Sequence, residues 1–342
     1  MKSGRDFFRR QMRLRLEGGT VTKAAERLYR SRLVPARVRE LRRHRAASRD
    51  LLASITVPPV TFNEKVRHRM ATDRRPILTV FADKVGVRDY VREKVGDGVL
   101  TRVHAVVEEP QELLDSDLPR EFVVKASHAS GGIVVVADHV PSENRLPRPP
   151  VGWKRLTVAP GRLDWSCLLD LCQDWLSRRY NPYEEWAYAK VTPRILVEEL
   201  LPGDGGVPFD FRYFVFGGTV RLIQVEQDRF GDHRRNLYSP EWKLLPVEYG
   251  FPRGRPDPVP AKLHDMIAIA ERLANGMDFV RVDLYDVGDR VVFGELTIYP
   301  ASGWASFDPP EFDAYLGGLW PARVRPRRGR RHRPGRFGDE RR

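Results

Sequence analysis

Residues 279–303 read FVRVDLYDVGDRVVFGELTIYPASG, and this stretch decides the fold. Two β-branched and aromatic runs flank Val287-Gly288-Asp289, the pattern of an antiparallel hairpin. Strand side chains alternate faces, so Arg281, Asp283 and Tyr285 share one face, and Glu295 and Thr297 share a face of the partner strand. A turn centred near Gly288 puts position 283 opposite 293 and makes Asp283 and Glu295 diagonal neighbours, about 7–8 Å apart at the backbone. Two carboxylates converging from adjacent strands can bridge a hard cation, with phosphate oxygens completing the octahedron. The spacing equally fits two solvated strand carboxylates neutralised by Arg281. The apolar flanks Val280, Val282, Leu284, Val292 and Phe293 point to a buried opposite face, and an acidic face on a buried sheet needs a cation. Pro300 and Gly303 end the strand in a tight loop.

Outward from this hairpin, two more follow the same logic. EFVVKAS (121–127) and GIVVVAD (132–138) are β-branched runs separated by a glycine-bearing turn, and DFRYFVF (210–216) and TVRLIQVEQ (219–227) join through Gly217-Gly218. RILVEEL (194–200) reads as a further strand. ADKVGVRDYVREKVG (82–96) has near-helical apolar spacing and stops at Gly96, and residues 163–179 and 260–276 read as helices. Residues 139–162 read as loop, and 228–258 as a long polar loop of the kind that usually serves function or is disordered. Helical character over 4–17 and 21–53 is interrupted at Pro35. The pattern is α+β, antiparallel hairpins with packed helices.

Composition bounds the function classes. The 342-residue chain is 41% hydrophobic and 31% charged, enough for two packed lobes. No apolar run reaches the roughly 18 residues that cross a bilayer, and MKSGRDFFRRQMRLRLEGG lacks the pattern of a secretion signal, so a cytoplasmic location is expected. Cys167 and Cys172, five apart in an apolar helical segment, read as buried inert thiols. The net charge of +13 is uneven: +11 over 1–50 and +8 over 323–342, which leaves −6 for the body. The arginine-rich ends suit an anionic surface, either the inner membrane face or a polysaccharide, or they are solubilising tails. The acidic body argues against a specific nucleic-acid partner.

Two other stretches carry chemistry. In VVKASHASGGIVVV, Lys125 ends a strand before a turn holding His128, Ser130, Gly131 and Gly132. A lysine beside a small-residue loop can neutralise phosphate while loop amides donate to it. A glycine turn with a surface lysine explains the same residues, and His128 is as readily a turn histidine. In ILVEELLPG, a strand broken by Pro-Gly offers free backbone groups to an adenine edge, or is simply a strand with exposed Glu198 and Glu199.

Together these pieces resemble the TupA-like ATP-grasp family, through TFNEKVRHRM (61–70), ADKVGVRDYVREKVG, FVVKASHASGGIVVV (122–136), ILVEELL, DFRYFVFGGTVRLI (210–223) and the 279–303 hairpin. The resemblance covers roughly residues 58–318. It implies an ATP-grasp fold of two α+β lobes clamping ATP, divided as a basic helical segment over 1–57, a first lobe over 58–193, a second with the metal site over 194–320, and an arginine-rich tail over 321–342. ATP and Mg²⁺ are the implied cofactors. Lys84 and Lys125 would contact the α/β-phosphates, Ser130-Gly131-Gly132 would cover the γ-phosphate, and Glu198, Glu199, Leu200 and Leu201 would form the adenine hinge. Asp283 and Glu295 would hold magnesium. Thr297 stands where most ATP-grasp proteins carry a third ligand, Asn, and this departure weakens a second metal site. Arg212 and Arg281 would stabilise the transferred phosphoryl, and Asp210 would bind ribose or orient an arginine.

The activity so implied is an ATP-dependent carboxylate–amine ligase working through an acyl phosphate, in cell-surface polysaccharide or teichuronopeptide-like biosynthesis. Its partners would be an acidic small molecule or polymer and an amine. His233, Arg235 and Asn236, in the polar stretch 228–242, are the substrate-recognition candidates beside His128, although an exposed charged loop would look the same. The rivals are an ATP-grasp phosphotransferase, a polysaccharide-associated glycosyltransferase and a polyanion-binding protein.

Overall fold

The computed structural model describes residues 46–181, 184–202, 209–228 and 232–320. Two five-stranded sheets carry the architecture. The first is built from β1 (Val103–Val107), β2 (Phe122–Ala126), β3 (Ile133–Val136), β4 (Arg155–Val158) and β5 (Ile195–Glu199), in the order β1-β5-β2-β3-β4. The second is built from β6 (Phe209–Phe216), β7 (Thr219–Gln227), β8 (Arg234–Tyr238), β10 (Phe279–Asp286) and β11 (Val291–Thr297), in the order β11-β10-β6-β7-β8. A short pair, β9 (Glu248–Tyr249) with β12 (Phe307–Asp308), completes the strands named in the described residues.

The three hairpins expected from the β-branched runs form as β2–β3, β6–β7 and β10–β11. Two stretches expected to be loop carry strands. β4 lies within 139–162 and pairs parallel with β3, and β8 lies within 228–258 and forms the edge of the second sheet. Both are short and largely polar, so alternation alone does not reveal them; each is held by its neighbour's unpaired edge.

Among the described residues these helices flank the sheets: α1 (Phe62–Thr72), α2 (Pro76–Ala82), α3 (Val87–Val95), α4 (Trp165–Leu176), α5 (Leu263–Leu273) and α6 (Glu311–Leu319). α1 begins with a capping box, Glu64 N–H donating to Thr61 Oγ1 at 3.2 Å and Thr61 N–H donating to Glu64 Oε2 at 3.0 Å. α4 packs against β2 and buries both free cysteines, as their apolar setting implied. α3 stops at Gly96, whose φ of 88° ends the helix in a conformation open to glycine.

The lobe boundary differs from the sequence division at 193/194. β5 is hydrogen-bonded between β1 and β2 and so belongs to the first sheet. Phe62, Val66, Met70, Leu78, Phe81 and Val91 of α1–α3 instead join the core of the second sheet. Phe62 meets Phe279 at 5.1 Å and Phe214 at 5.8 Å between ring centroids. The helices follow their apolar faces to the larger aromatic core, while strand pairing, which is non-local, claims β5. The basic terminal segments lie outside the described residues, apart from 46–57, of which 46–53 are helical. Among the described residues no helix is long and apolar enough to cross a membrane.

Candidate functional site

The site begins with a register. From the 287–290 loop, Asp286 pairs with Val291 and Leu284 with Phe293, but Asp283 pairs with Glu295. A β-bulge at Gly294 accounts for the step. A Cβ at that position would stand 3.0 Å from both Asp283 O and Tyr285 Cε2, so the close approach favours glycine. The expectation of a diagonal Asp283–Glu295 relation is therefore corrected: the two carboxylates stand directly opposite each other.

Arg281 ties them together. Its Nε and Nη2 donate to Asp283 Oδ1 and Oδ2 at 2.7 and 2.6 Å, and Nη2 also donates to Glu295 Oε1 at 3.1 Å and Thr297 Oγ1 at 2.8 Å. Thr297 Oγ1 donates in turn to Glu295 Oε1 at 2.8 Å. Three oxygens thus converge on one point. Burial, with the Glu295 charge adding to it, lifts Asp283 above the ordinary carboxylate range against the pull of Arg281. Burial also opposes ionisation of Glu295, but Arg281 and Lys84 outweigh it and hold that carboxyl low. Among the described residues no group of three or more His, Cys, Asp or Glu side chains is placed to hold a metal. Two carboxylates and a hydroxyl nevertheless fit Mg²⁺, which takes one or two carboxylates and leaves the remaining positions to water and phosphate oxygens.

The charged face continues across the sheet. Asp283 pairs with Arg212 on β6, and Arg212 with Gln224 on β7. Arg212 donates to Asp210 Oδ2 from Nη2 at 2.7 Å and to Glu226 Oε1 from Nη1 at 2.7 Å, and its Nε stands 3.5 Å from Asp283 Oδ2. Glu226 is the hub of the far half: Arg235 Nε donates to its Oε1 at 3.0 Å, and His233 Nε2 pairs with Oε2. Burial disfavours the Glu226 anion, yet His233, Arg212 and Arg235 together pull its carboxyl far below the usual range.

Two lysines face this row, Lys125 from the first sheet and Lys84 from the segment after α2. Lys125, on β2, pairs with Glu198 of β5, and Thr101 Oγ1 donates to the other oxygen of Glu198 at 2.9 Å. Lys84 follows α2, which packs against β11, and its Nζ donates to Ala129 O in the turn after β2. Burial depresses the Lys84 ammonium; Lys125 adds to that, while Glu295 and Glu198 oppose it. The fields of Lys84, Lys125, Glu198 and Glu295 therefore overlap between the two sheets. Two cross-links hold the sheets in this relation: Arg290, in the β10–β11 loop, donates to Glu199 Oε1 at 2.6 Å, and Arg194 donates to Asp83 Oδ2 at 2.8 Å.

The 127–132 turn has the conformation that an anion cradle needs. Gly131 and Gly132 have φ of 104° and 65°, and a Cβ on Gly131 would lie 2.3 Å from Trp153 O. Among the described residues no backbone carbonyl accepts from the amides of residues 128–131, which remain free to donate. Ser130 is exposed at the tip. The amides of Leu200 and Leu201, just past β5, likewise have no described backbone acceptor.

The structure thus brings together Lys84, Lys125, Glu198, Asp283, Glu295, Thr297, Arg281, Arg212 and Asp210. It does not bring His128 to them. That ring is 1% exposed, and its Nε2 contacts the Trp175 and Arg178 carbonyls at 3.1 Å, at the end of α4. Asn236 is fully buried and fastens β8 to Arg255 O and Asp257. Glu199 serves the inter-sheet link. His233 and Arg235 gather on Glu226, a residue that sequence reading passed over. Counting back from Gly217-Gly218 sets 212 opposite 223; a bulge between Phe214 and Val215 shifts the pairing by one and turns Gln224 and Glu226 onto the charged face.

Lys84 and Lys125 thus stand opposite a carboxylate–arginine row on the second sheet. The family model described as TupA-like ATPgrasp matches residues 64–320, and the chain belongs to that family. Among curated proteins none matches it. Solved structures similar to it include the ATP-grasp ligase PsnB complexed with a minimal precursor, at 10% identity and a TM-score of 0.33, covering 65% of this chain and 53% of that one. Others are the D-alanine–D-alanine ligase of Helicobacter pylori (13%, TM-score 0.38, 71% and 62%) and the N5-carboxyaminoimidazole synthase of Aspergillus clavatus (10%, TM-score 0.35, 64% and 44%). The chain spans about half the length of the PsnB structure.

Proposed function

We propose that this chain is an ATP- and Mg²⁺-dependent carboxylate–amine ligase that activates an acid as an acyl phosphate and passes the acyl group to an amine. The observation that carries the reading is the convergence of Asp283, Glu295 and Thr297 on the Arg281 guanidinium, in the field of Lys84. Asp283 and Glu295 would hold magnesium with Thr297 alongside, and magnesium supplies neutralisation of phosphate charge when bound. Lys84 and Lys125 bind the phosphate chain, and the free amides of the 128–131 turn cap its end. Glu198 orients Lys125, and the amides of Leu200 and Leu201 meet the adenine edge. Arg281 and Arg212 are positioned to stabilise charge that develops as the phosphoryl group moves to the carboxylate oxygen.

The acid is an anion, small or polymeric, and His233 and Arg235 around Glu226 form the basic patch nearest its expected path. The product would enter cell-surface polysaccharide or teichuronopeptide-like assembly, with the arginine-rich ends at an anionic surface. The test is a screen of acid and amine pairs for ADP release by the purified chain with Mg·ATP. Release that needs both partners is expected. Release with an acceptor that is neither acid nor amine, and without any second substrate, would make the protein a phosphotransferase instead.

A further inference from the structure

Large apolar side chains left in solvent are ordinary when scattered and informative when they gather. Among the described residues, Leu52, Val57, Val60 and Trp304 gather around the first two turns of α1, exposed by 37%, 88%, 55% and 36%. The helix itself fixes the grouping. Glu64, in its first turn, accepts from the Thr56 N–H at 2.8 Å and the Val60 N–H at 2.9 Å, which folds the 56–60 loop over the helix start. Arg67, one turn on, donates from Nη2 to Ser54 O at 3.0 Å and lies over the Trp304 ring, 4.4 Å from its centroid. One guanidinium thus joins the segment after the 46–53 helix to the loop that follows β11. Leu51 is buried in the second core, which lays the 46–53 helix on the domain and leaves Leu52 outward.

The basic excess of the chain is joined to the same helix. Residues 1–50, which carry +11, run into the 46–53 helix. At the other end, Lys65 of α1 donates from Nζ to Gly317 O at 2.7 Å and to Trp320 O at 2.9 Å, and residues 323–342 just beyond carry +8. Both basic segments therefore meet the domain beside α1, where the apolar cluster lies, although the body between them carries −6. A polyanion without an apolar phase would engage the arginines and gain nothing from valine, leucine or tryptophan. A bilayer with anionic headgroups engages both. Its surface potential attracts the basic segments, its acyl boundary takes up aliphatic side chains, and tryptophan sits at headgroup level.

We infer that this face of α1 docks on an anionic lipid bilayer, with Leu52, Val57, Val60 and Trp304 entering the headgroup–acyl boundary and the two arginine-rich segments binding the charged lipids. The inference rests on the reading that the basic ends meet an anionic surface, and not on the ligase chemistry; it names that surface and the side of the domain that meets it. The loop bearing Trp304 directly continues β11, the strand of Glu295 and Thr297. Docking therefore holds Thr297 within about 25 Å of the lipid, the full reach of the intervening chain.

The test uses the full chain and flotation with two vesicle types, phosphatidylcholine alone and equimolar phosphatidylglycerol with phosphatidylcholine; dextran sulfate beads are the polysaccharide control. The wild type is expected on the anionic vesicles and not on the neutral ones. Val57→Ser combined with Val60→Ser should weaken vesicle binding about tenfold, the scale of two partly buried valines, and leave retention on dextran sulfate and the melting temperature unchanged. Bromine on the acyl chains should quench a share of the tryptophan fluorescence that Trp304→Phe removes, a readout that needs no serine variant. Vesicle binding that the serine pair leaves intact, or quenching that does not depend on Trp304, overturns the docking face and leaves charge alone. Tighter retention on dextran sulfate than on vesicles also overturns it and makes an anionic polysaccharide the partner. Binding to neither sinks the anionic-surface reading itself. None of these measurements needs ATP, acid or amine, so their failure is separable from absent acid-dependent ADP release, which sinks the ligase reading.

Discussion

Replacing Arg281 by Met removes the cation from the centre of the row and leaves the carboxylates in place. The guanidinium is buried and makes four hydrogen bonds, two to Asp283 and one each to Glu295 and Thr297. Removing one partner of a buried ion pair costs about 3–5 kcal/mol, because the charge left behind is uncompensated. For a domain of this size that lowers the melting temperature by roughly 10 °C. The loss should depend on pH in a defined direction. Asp283 already has a raised folded-state pKa and rises further without Arg281, and Glu295, which Arg281 helps to hold low, rises too. Groups raised on folding withdraw stability as pH increases through their folded values, so the deficit of Arg281→Met grows from acid to neutral pH. A divalent cation between the carboxylates offsets the missing charge, so Mg²⁺ should raise the melting temperature more in the variant than in the wild type. Thermal unfolding in EDTA and in MgCl₂, at acid and neutral pH, reads all three effects. A penalty indifferent to both pH and Mg²⁺ would refute the shared cation site.

Other outcomes follow from single contacts. Glu226→Gln removes the only carboxylate paired with the buried Arg235 among the described residues and one of three near Arg212, and should cost about 3–5 kcal/mol in urea unfolding near neutrality; since the Glu226 carboxyl is depressed on folding, the advantage of the wild type should shrink as pH falls well into the acid range. Gly131→Ala must take up a φ of 104° and a 2.3 Å clash with Trp153 O, so a loss of about 2 kcal/mol or more is expected by calorimetry. Glu185→Gln should equal the wild type in stability at low pH and exceed it, by up to about 3 kcal/mol, once pH has risen through about 7, because a carboxyl raised on folding loses stability over that window.

Much of the site was legible because hairpins advertise themselves. The β-branched runs around Gly131-Gly132, Gly217-Gly218 and Gly288 give the strands that bear Lys125, Arg212 and Asp283. Register was harder. Gly294 inside a strand is itself a bulge signal, and the bulge it makes sets Glu295 straight across from Asp283. Long-range choices were not legible at all. Nothing local assigns β5 to the first sheet or sends α1–α3 to the core of the second, since both follow from pairing and burial between distant segments. β8 was hidden because its inward residue Arg235 is charged and is neutralised by Glu226, a partner on another strand. His128 and Asn236 carry functional side chains spent on structure: one binds the end of α4, and the other pins the loop after β8.

The most direct measurement is calorimetric titration of Mg·ATP into the wild type, Lys125→Ala and Glu295→Ala. One substitution lies on the first sheet and the other on the second. If the two sheets grip nucleotide and metal jointly, the wild type binds and each variant loses at least about tenfold in affinity, the scale of one charge-assisted hydrogen bond. Equal affinity in all three proteins, or no binding by the folded wild type, would contradict it.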